Sequence, residues 1–219
     1  MRLVKVLGLV MVAALASMTF IGVGLAGAEE TLICHLEVGD PGTGGCPEGQ
    51  LPYNGKIITN SAAGTFTSGF VSIECTSHQE GTINSEGLGE IQAVTWSNCK
   101  NNIGCSTSTA KAEALPWTVH VLGAELNVGH AIMHVLNPEG SFSVSGGLFC
   151  PATTCIYATG DALTEILDSL SSSEPNTIHA KKVELKKQSG SSSACSSTGV
   201  WSALNSVTQP GDLHIHLVP

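Results

Sequence analysis

Val71-Ser72-Ile73-Glu74-Cys75-Thr76 alternates an apolar with a polar side chain at every step. Successive side chains of a β-strand point to opposite faces, so Val71, Ile73 and Cys75 share one face and Ser72, Glu74 and Thr76 the other. The pattern recurs along the chain. Trp117, Val119 and Val121 alternate with Thr118 and His120, and Phe142 and Val144 sit among Ser141, Ser143 and Ser145. Leu213, Ile215 and Leu217 alternate with His214 and His216. One-sided burial of this kind marks antiparallel sheets, and Gly, Pro, Asn and Ser clusters separate the runs at short intervals. The chain therefore reads as all-β, an antiparallel β-sandwich or partly closed β-barrel.

One segment departs from period two. Over residues 161–171, Leu163, Ile166, Leu167 and Leu170 recur at helical spacing behind Asp161 as an N-cap, which predicts one short helix there. Residues 171–176 and 188–193 read as Ser-rich loops, too short to link domains, and no repeat stands out. Residues 29–219 are expected to form a single β-rich domain.

The N-terminus has the three parts of a secretory signal in order. Arg2 and Lys5 are basic, residues 7–25 are apolar or small except Ser17 and Thr19, and Ala26-Gly27-Ala28 offers small residues to a signal peptidase. Residues 1–28 therefore read as a signal peptide, and the protein as secreted. An uncleaved anchor is the alternative, since the apolar run is near bilayer-spanning length. Thr31-Leu32-Ile33 before Cys34 does not form a lipobox, and no later stretch is apolar for long enough to span a membrane.

Removing the leader leaves 191 residues. Seven lysines then stand against 18 acidic residues, a formal charge of −11, with no arginine. Nucleic acid and anionic lipid are poor partners for such a surface, because phosphate contacts need distributed Lys and Arg. Lys181, Lys182, Lys186 and Lys187 crowd into one segment that reads as a solvated strand face or turn.

Eight cysteines follow the leader: Cys34, Cys46, Cys75, Cys99, Cys105, Cys150, Cys155 and Cys195. An even count in an exported chain suggests up to four disulfides. Loop closure favours the local pairs Cys34–Cys46, across a Gly/Pro-rich segment, and Cys150–Cys155, across Pro151-Ala152-Thr153-Thr154. Cys75 is then paired with Cys99 or Cys105, leaving the other for Cys195. A structural zinc site would want Cys-x2-Cys spacings, and none occur.

The order of features resembles a group of secreted β-rich proteins of soil actinobacteria. The likeness runs through an early cysteine pair, Val71-Ser72-Ile73-Glu74-Cys75, Trp96-Ser97-Asn98-Cys99 and Ala114-Leu115-Pro116-Trp117-Thr118-Val119. It continues through Phe149-Cys150, Cys155-Ile156-Tyr157 and Cys195 ahead of Val200-Trp201. The resemblance implies secretion and β structure. It brings no activity and no functional residue.

The histidines are the most suggestive candidates for chemistry. His214 and His216 are two apart and share a strand face, and His130 and His134 share a face at spacing four. Zn²⁺ or Cu²⁺ could take such a pair with a third ligand from a neighbouring strand. The plainer reading puts His214 and His216 on the solvent face opposite Leu213, Ile215 and Leu217. No His-Glu-x-x-His, no Gly-x-Ser-x-Gly elbow and no Gly-Lys-Ser/Thr phosphate loop occurs. Only four aspartates exist, two of them turn-like, and oxidised cysteines are not nucleophiles. Trp96, Trp117 and Trp201 sit in alternating runs and read as core.

Two functions stay in play. The leading one is a secreted, non-enzymatic β-domain that binds or builds structure at or beyond the cell surface, with no cofactor. The competitor is a secreted metal-binding protein or metal-dependent hydrolase built on His214, His216, His130 and His134. Whether the chain is an enzyme stays open, with the missing motifs leaning against it.

Overall fold

The computed structural model describes residues 30–36, 45–123, 130–147, 150–167 and 175–218. The leader, most of the loop between Cys34 and Cys46, and the end of the expected helix lie outside them. Fourteen strands follow in order. They are β1 (Glu30–Leu36), β2 (Gln50–Pro52), β3 (Gly55–Ser68), β4 (Val71–Ile83), β5 (Leu88–Asn101), β6 (Thr107–Glu113) and β7 (Trp117–Gly123). Then come β8 (His130–Leu136), β9 (Glu139–Ser145), β10 (Thr153–Ala158), β11 (Asp161–Leu167), β12 (Thr177–Lys187), β13 (Thr198–Gln209) and β14 (Leu213–Val218). Among the described residues there is no helix.

Eight strands close an antiparallel barrel in the order β11-β8-β7-β5-β4-β3-β13-β12, with β11 pairing back onto β12. Of the two architectures expected, a closed barrel is the one formed. The alternating runs quoted above are strands, and their apolar positions Ile73 and Cys75, Trp117, Val119 and Val121, Phe142, and Leu213 with Ile215 are buried. The β11–β12 pairing removes the free edges of those two strands, whereas β6, at the end of the β10-β9-β6 extension, has a ladder to β9 alone among the described residues.

The helix expected over 161–171 is corrected to strand β11 as far as Leu167. Ala162, Thr164 and Ile166 face the interior and are buried, whereas Leu163 points out and is 55% exposed. The leucine spacing misled because the inward positions hold a small and a polar residue. β11 pairs along its length with β8 and at its end with β12, and these ladders outweigh a helical preference over so few residues.

Three strand paths are broken halfway. β6 runs into β7 through Ala114-Leu115-Pro116, β8 into β9 through Asn137-Pro138, and β10 into β11 through Thr159-Gly160. Ala114 and Asn137 take the left-handed conformation, with φ of 53° and 52°. β12 is interrupted at the same level by a register shift between Ala180 and Val183. Its first half pairs with β11 and its last residues with β10. The barrel therefore has a waist. On one side β7, β8 and β11 bridge β5 to β12; on the other β6, β9 and β10 span the same gap. Trp96, Trp117 and Trp201 meet at this waist, beside Phe142, Tyr157 and Leu185. The Trp117 indole N–H donates to Glu113 O at 2.9 Å.

One end of the barrel is capped by a separate three-stranded sheet, β14-β1-β2. β1 pairs with β14 from Glu30 opposite Val218 to His35 opposite Leu213. Ile33, Leu213 and Ile215 join the core, and the Ile33 N–H donates to Ser85 O at 2.8 Å. Buried Asn176 ties the cap to the wall: its side-chain amide donates to Leu213 O, and its carbonyl accepts the Val207 N–H.

All eight cysteines are paired: Cys34–Cys46, Cys75–Cys99, Cys105–Cys150 and Cys155–Cys195. Such usage is consistent with an oxidising, extracellular setting. The first pair is the expected one, and Cys75 takes the first of its two expected partners. The expected Cys150–Cys155 pair does not form, nor does Cys105–Cys195. Cys155 lies inside β10, where it meets Cys195, while Cys150 stands outside that strand beside Cys105. The side of the sheet a cysteine faces overrides its distance along the chain.

Candidate functional site

The end of the barrel away from the cap is built around the β3–β4 hairpin. Ser68 pairs with Val71, so Gly69 and Phe70 form a two-residue loop, and Gly69 supplies the positive φ of 59° that such a turn needs. The turn holds Phe70 out at 81% exposure. Beneath it opens a pocket of about 270 Å³. Phe66 and Phe142 lie in its lining, together with Val71, Ile73 and Val144, and residues 194–196 stand across from the hairpin. Cys155–Cys195 pins that last segment to β10.

Alternation explains the aromatic floor. Phe66 and Phe142 occupy inward positions on β3 and β9 and are both buried. Their rings stack with centroids 3.9 Å apart and planes 3° from parallel, and Tyr157 leans on Phe66 at 4.9 Å. Tyr157 is fully buried, so its hydroxyl needs partners. It donates to Ser196 O at 2.9 Å and lies 2.5 Å from Ser68 Oγ. That leaves Ser68 Oγ, on the pocket wall, as a fixed hydroxyl beside a mostly carbon-lined space.

No acid–base machinery faces this space. Among the described residues that line it there is no histidine, carboxylate, lysine or arginine; the polar side chains are the hydroxyls of Ser68, Thr153 and Ser196. A buried ion would find no compensating charge here. Solvent access, an apolar wall and a few placed polar atoms are the ordinary features of a small-molecule site. No family model, curated protein or solved structure matches this chain.

The histidines lie elsewhere, and the structure separates the two pairs the sequence singled out. His130 and His134 are on the outer face of β8, in the barrel wall, since Ala131, Met133 and Val135 between and beside them are buried. His134 stands opposite His120 on β7 and opposite Leu163 on β11. Its Nδ1 is 2.8 Å from Asp161 Oδ2, and His130 Nδ1 is 3.7 Å from Glu165 Oε1. His214 and His216 belong to β14 in the cap sheet, opposite Cys34 and Leu32. Among the described residues no group of three or more His, Cys, Asp or Glu side chains is placed to hold a metal ion.

The charged groups with displaced titration are also on the outer wall. Glu165 is held below the usual carboxylate range, first by its hydrogen bond to Lys181. Glu80 is lowered by Lys56 and His78, and Glu113 by the Ser141 hydroxyl and then Lys111. In each case a donor favours the ionised form. Tyr53 shifts the other way, upward, through burial and then Asp212. These groups fasten neighbouring strands, and none lines the pocket.

Sequence reading missed the pocket residues because each looks like core or turn on its own. Phe142 was legible as an inward side chain; what it faces depends on Phe66, 76 positions earlier. The available signal was Gly69-Phe70, an aromatic residue at a hairpin tip where polar residues are usual.

Proposed function

We propose that the protein is an exported, non-enzymatic binding module, a disulfide-stapled barrel that takes its ligand in the pocket at the hairpin end. One observation carries the reading: the pocket is open, apolar and aromatic-floored, and among the described residues no nucleophile–base pair or carboxylate pair faces it. Export is supported by the leader at residues 1–28 and by the pairing of every cysteine. A barrel closed by ladders, in a chain cross-linked by four disulfides, suits a rigid container that must survive outside the cell.

The test is production of the full chain in an oxidising bacterial host, with native purification of the exported form. Mass spectrometry should show Glu29 at the N-terminus and a mass eight hydrogens short of the reduced chain. Solvent extraction or a thermal-shift screen of neutral apolar compounds should reveal a bound or stabilising molecule. Free thiols, or a fold that ignores every such compound, would overturn the proposal.

A further inference from the structure

Volume and lining chemistry narrow what the pocket can accept. A dry cavity of about 150 Å³ lined by aliphatic and aromatic groups holds one benzene ring. By that scale, the space of about 270 Å³ takes roughly ten to twelve non-hydrogen atoms. Long acyl chains, sterols and polysaccharides are too large to be held inside it. The rings of Phe66 and Phe142 and the side chains of Val71, Ile73 and Val144 offer carbon contact from several sides.

Charge narrows it further. Among the described residues no ionised side chain lines the pocket, so a carboxylate or ammonium placed there would lose its hydration without a charged partner from them. The chain beyond the leader carries a formal charge of −11, which repels anions before they arrive. Of the three hydroxyls in the lining, that of Ser68 is held by two partners. Ser68 Oγ is held by the Tyr157 hydroxyl at 2.5 Å and donates to Thr198 O at 3.3 Å, and Tyr157 also donates to Ser196 O. The serine oxygen is left able to accept from a ligand.

From this lining we infer that the pocket binds small, uncharged, single-ring compounds bearing one hydroxyl, which sets the ring against the Phe66–Phe142 floor and donates to Ser68 Oγ. Phe70 is the lip of the site. It stands at the exposed hairpin tip and touches the same space, so its ring covers the outer side of a bound one. This inference rests on the binding-module reading and assigns the ligand class for the same pocket.

The probe is 4-ethylphenol, titrated into the exported protein and followed by calorimetry at pH 6, where the phenol is neutral. It is compared with ethylbenzene, 4-ethylbenzoate, 4-ethylbenzylammonium and dodecan-1-ol. The expected result is one site for 4-ethylphenol, with the two ions and the long alcohol at least tenfold weaker. Ser68→Ala should weaken 4-ethylphenol several-fold and leave ethylbenzene unchanged, a difference that simple loss of packing would not produce. Val144→Trp fills the space and should abolish binding of both. Phe70→Ala alters only an exposed side chain and should weaken both while the circular dichroism and melting point stay as in the parent. Equal or tighter binding of the ions or of dodecan-1-ol, lost in Val144→Trp, would overturn the ligand class and leave the module reading standing. Failure of every probe, with no molecule extracted from the native protein, would overturn both.

Discussion

Gly199 packs against the ring of Phe66: a Cβ at this position would sit 2.5 Å from Phe66 Cζ and 2.6 Å from Cε2. The ring has little room to yield, because it stacks on Phe142 at 3.9 Å. Gly199→Ala must therefore lift Phe66 from the stack, at a cost of about 1–3 kcal/mol for an overpacked core. Urea unfolding at pH 7 measures it, and an unchanged midpoint would show that the floor is softer than the packing implies.

Ala114 takes a φ of 53° at the β6–β7 break and is exposed. An L-residue pays for this conformation and glycine does not. Ala114→Gly should stabilise the protein by about 0.5–1 kcal/mol, the left-handed penalty less the extra chain entropy of glycine. Thermal melts of the two proteins check the sign; a lower melting point for the glycine variant contradicts it.

Cys155 and Cys195 are 40 residues apart, Cys34 and Cys46 only 12. On the loop-closure relation, losing the longer link costs about 4 kcal/mol and the shorter about 3 kcal/mol. The double serine variant at Cys155 and Cys195 should also free residues 194–196 from β10 and weaken probe binding, whereas the variant at Cys34 and Cys46 should not. Calorimetric titration beside denaturant curves separates the two effects. Equal loss of binding in both would mean that general stability, not the pocket wall, controls uptake.

Glu80, Glu113 and Glu165 all have lowered pKa values, each through a side-chain donor on its own or a neighbouring strand. A carboxyl that is more acidic in the folded state than in the unfolded one stabilises the fold fully above the ordinary value of 4.5. That contribution disappears as pH falls through the lowered values. Stability should thus be level from pH 7 to about 5 and decline below 4.5. The three sites face solvent, so the decline is shallow. Melting curves from pH 7 to 3 should show a flatter acid limb when all three are changed to Gln; an identical limb would place the acid sensitivity elsewhere.

His130 and His134 sit in the barrel wall, and His214 and His216 in the cap sheet. Among the described residues no group of three or more His, Cys, Asp or Glu side chains is placed to hold a metal ion. Dialysis against a chelator should leave the melting point of the exported protein where it was, and changing all four to Ala should not alter its zinc content. Stoichiometric zinc or copper that is lost in the His214→Ala, His216→Ala variant would restore the metalloprotein reading.

Much of the barrel was legible because alternation reports burial directly. Runs such as Trp117–Val121 need only one apolar face to become strands, whatever their neighbours do. β11 hid because Ala162 and Thr164, small and polar, occupy its inward positions beside Met133 and the narrow interior. Thr164 is satisfied there by donating to Met133 O at 3.1 Å. The pocket was illegible for a different reason. It is made by Phe66, Phe142 and Cys195, residues from three distant segments, and only the strand order brings them to one end. Disulfide pairing failed at Cys150 for the same cause, since strand order decides which face a thiol meets.

The β1–β14 ladder joins the first described strand to the last. Synthesis makes Ile33 long before Leu213 and Ile215, which pack with it in the core. The cap can therefore close only after every barrel strand between them has been made, and β1 must wait for its final partner until then. Because β1 finds its ladder in β14, a chain truncated ahead of residue 213 would leave that end of the barrel uncapped.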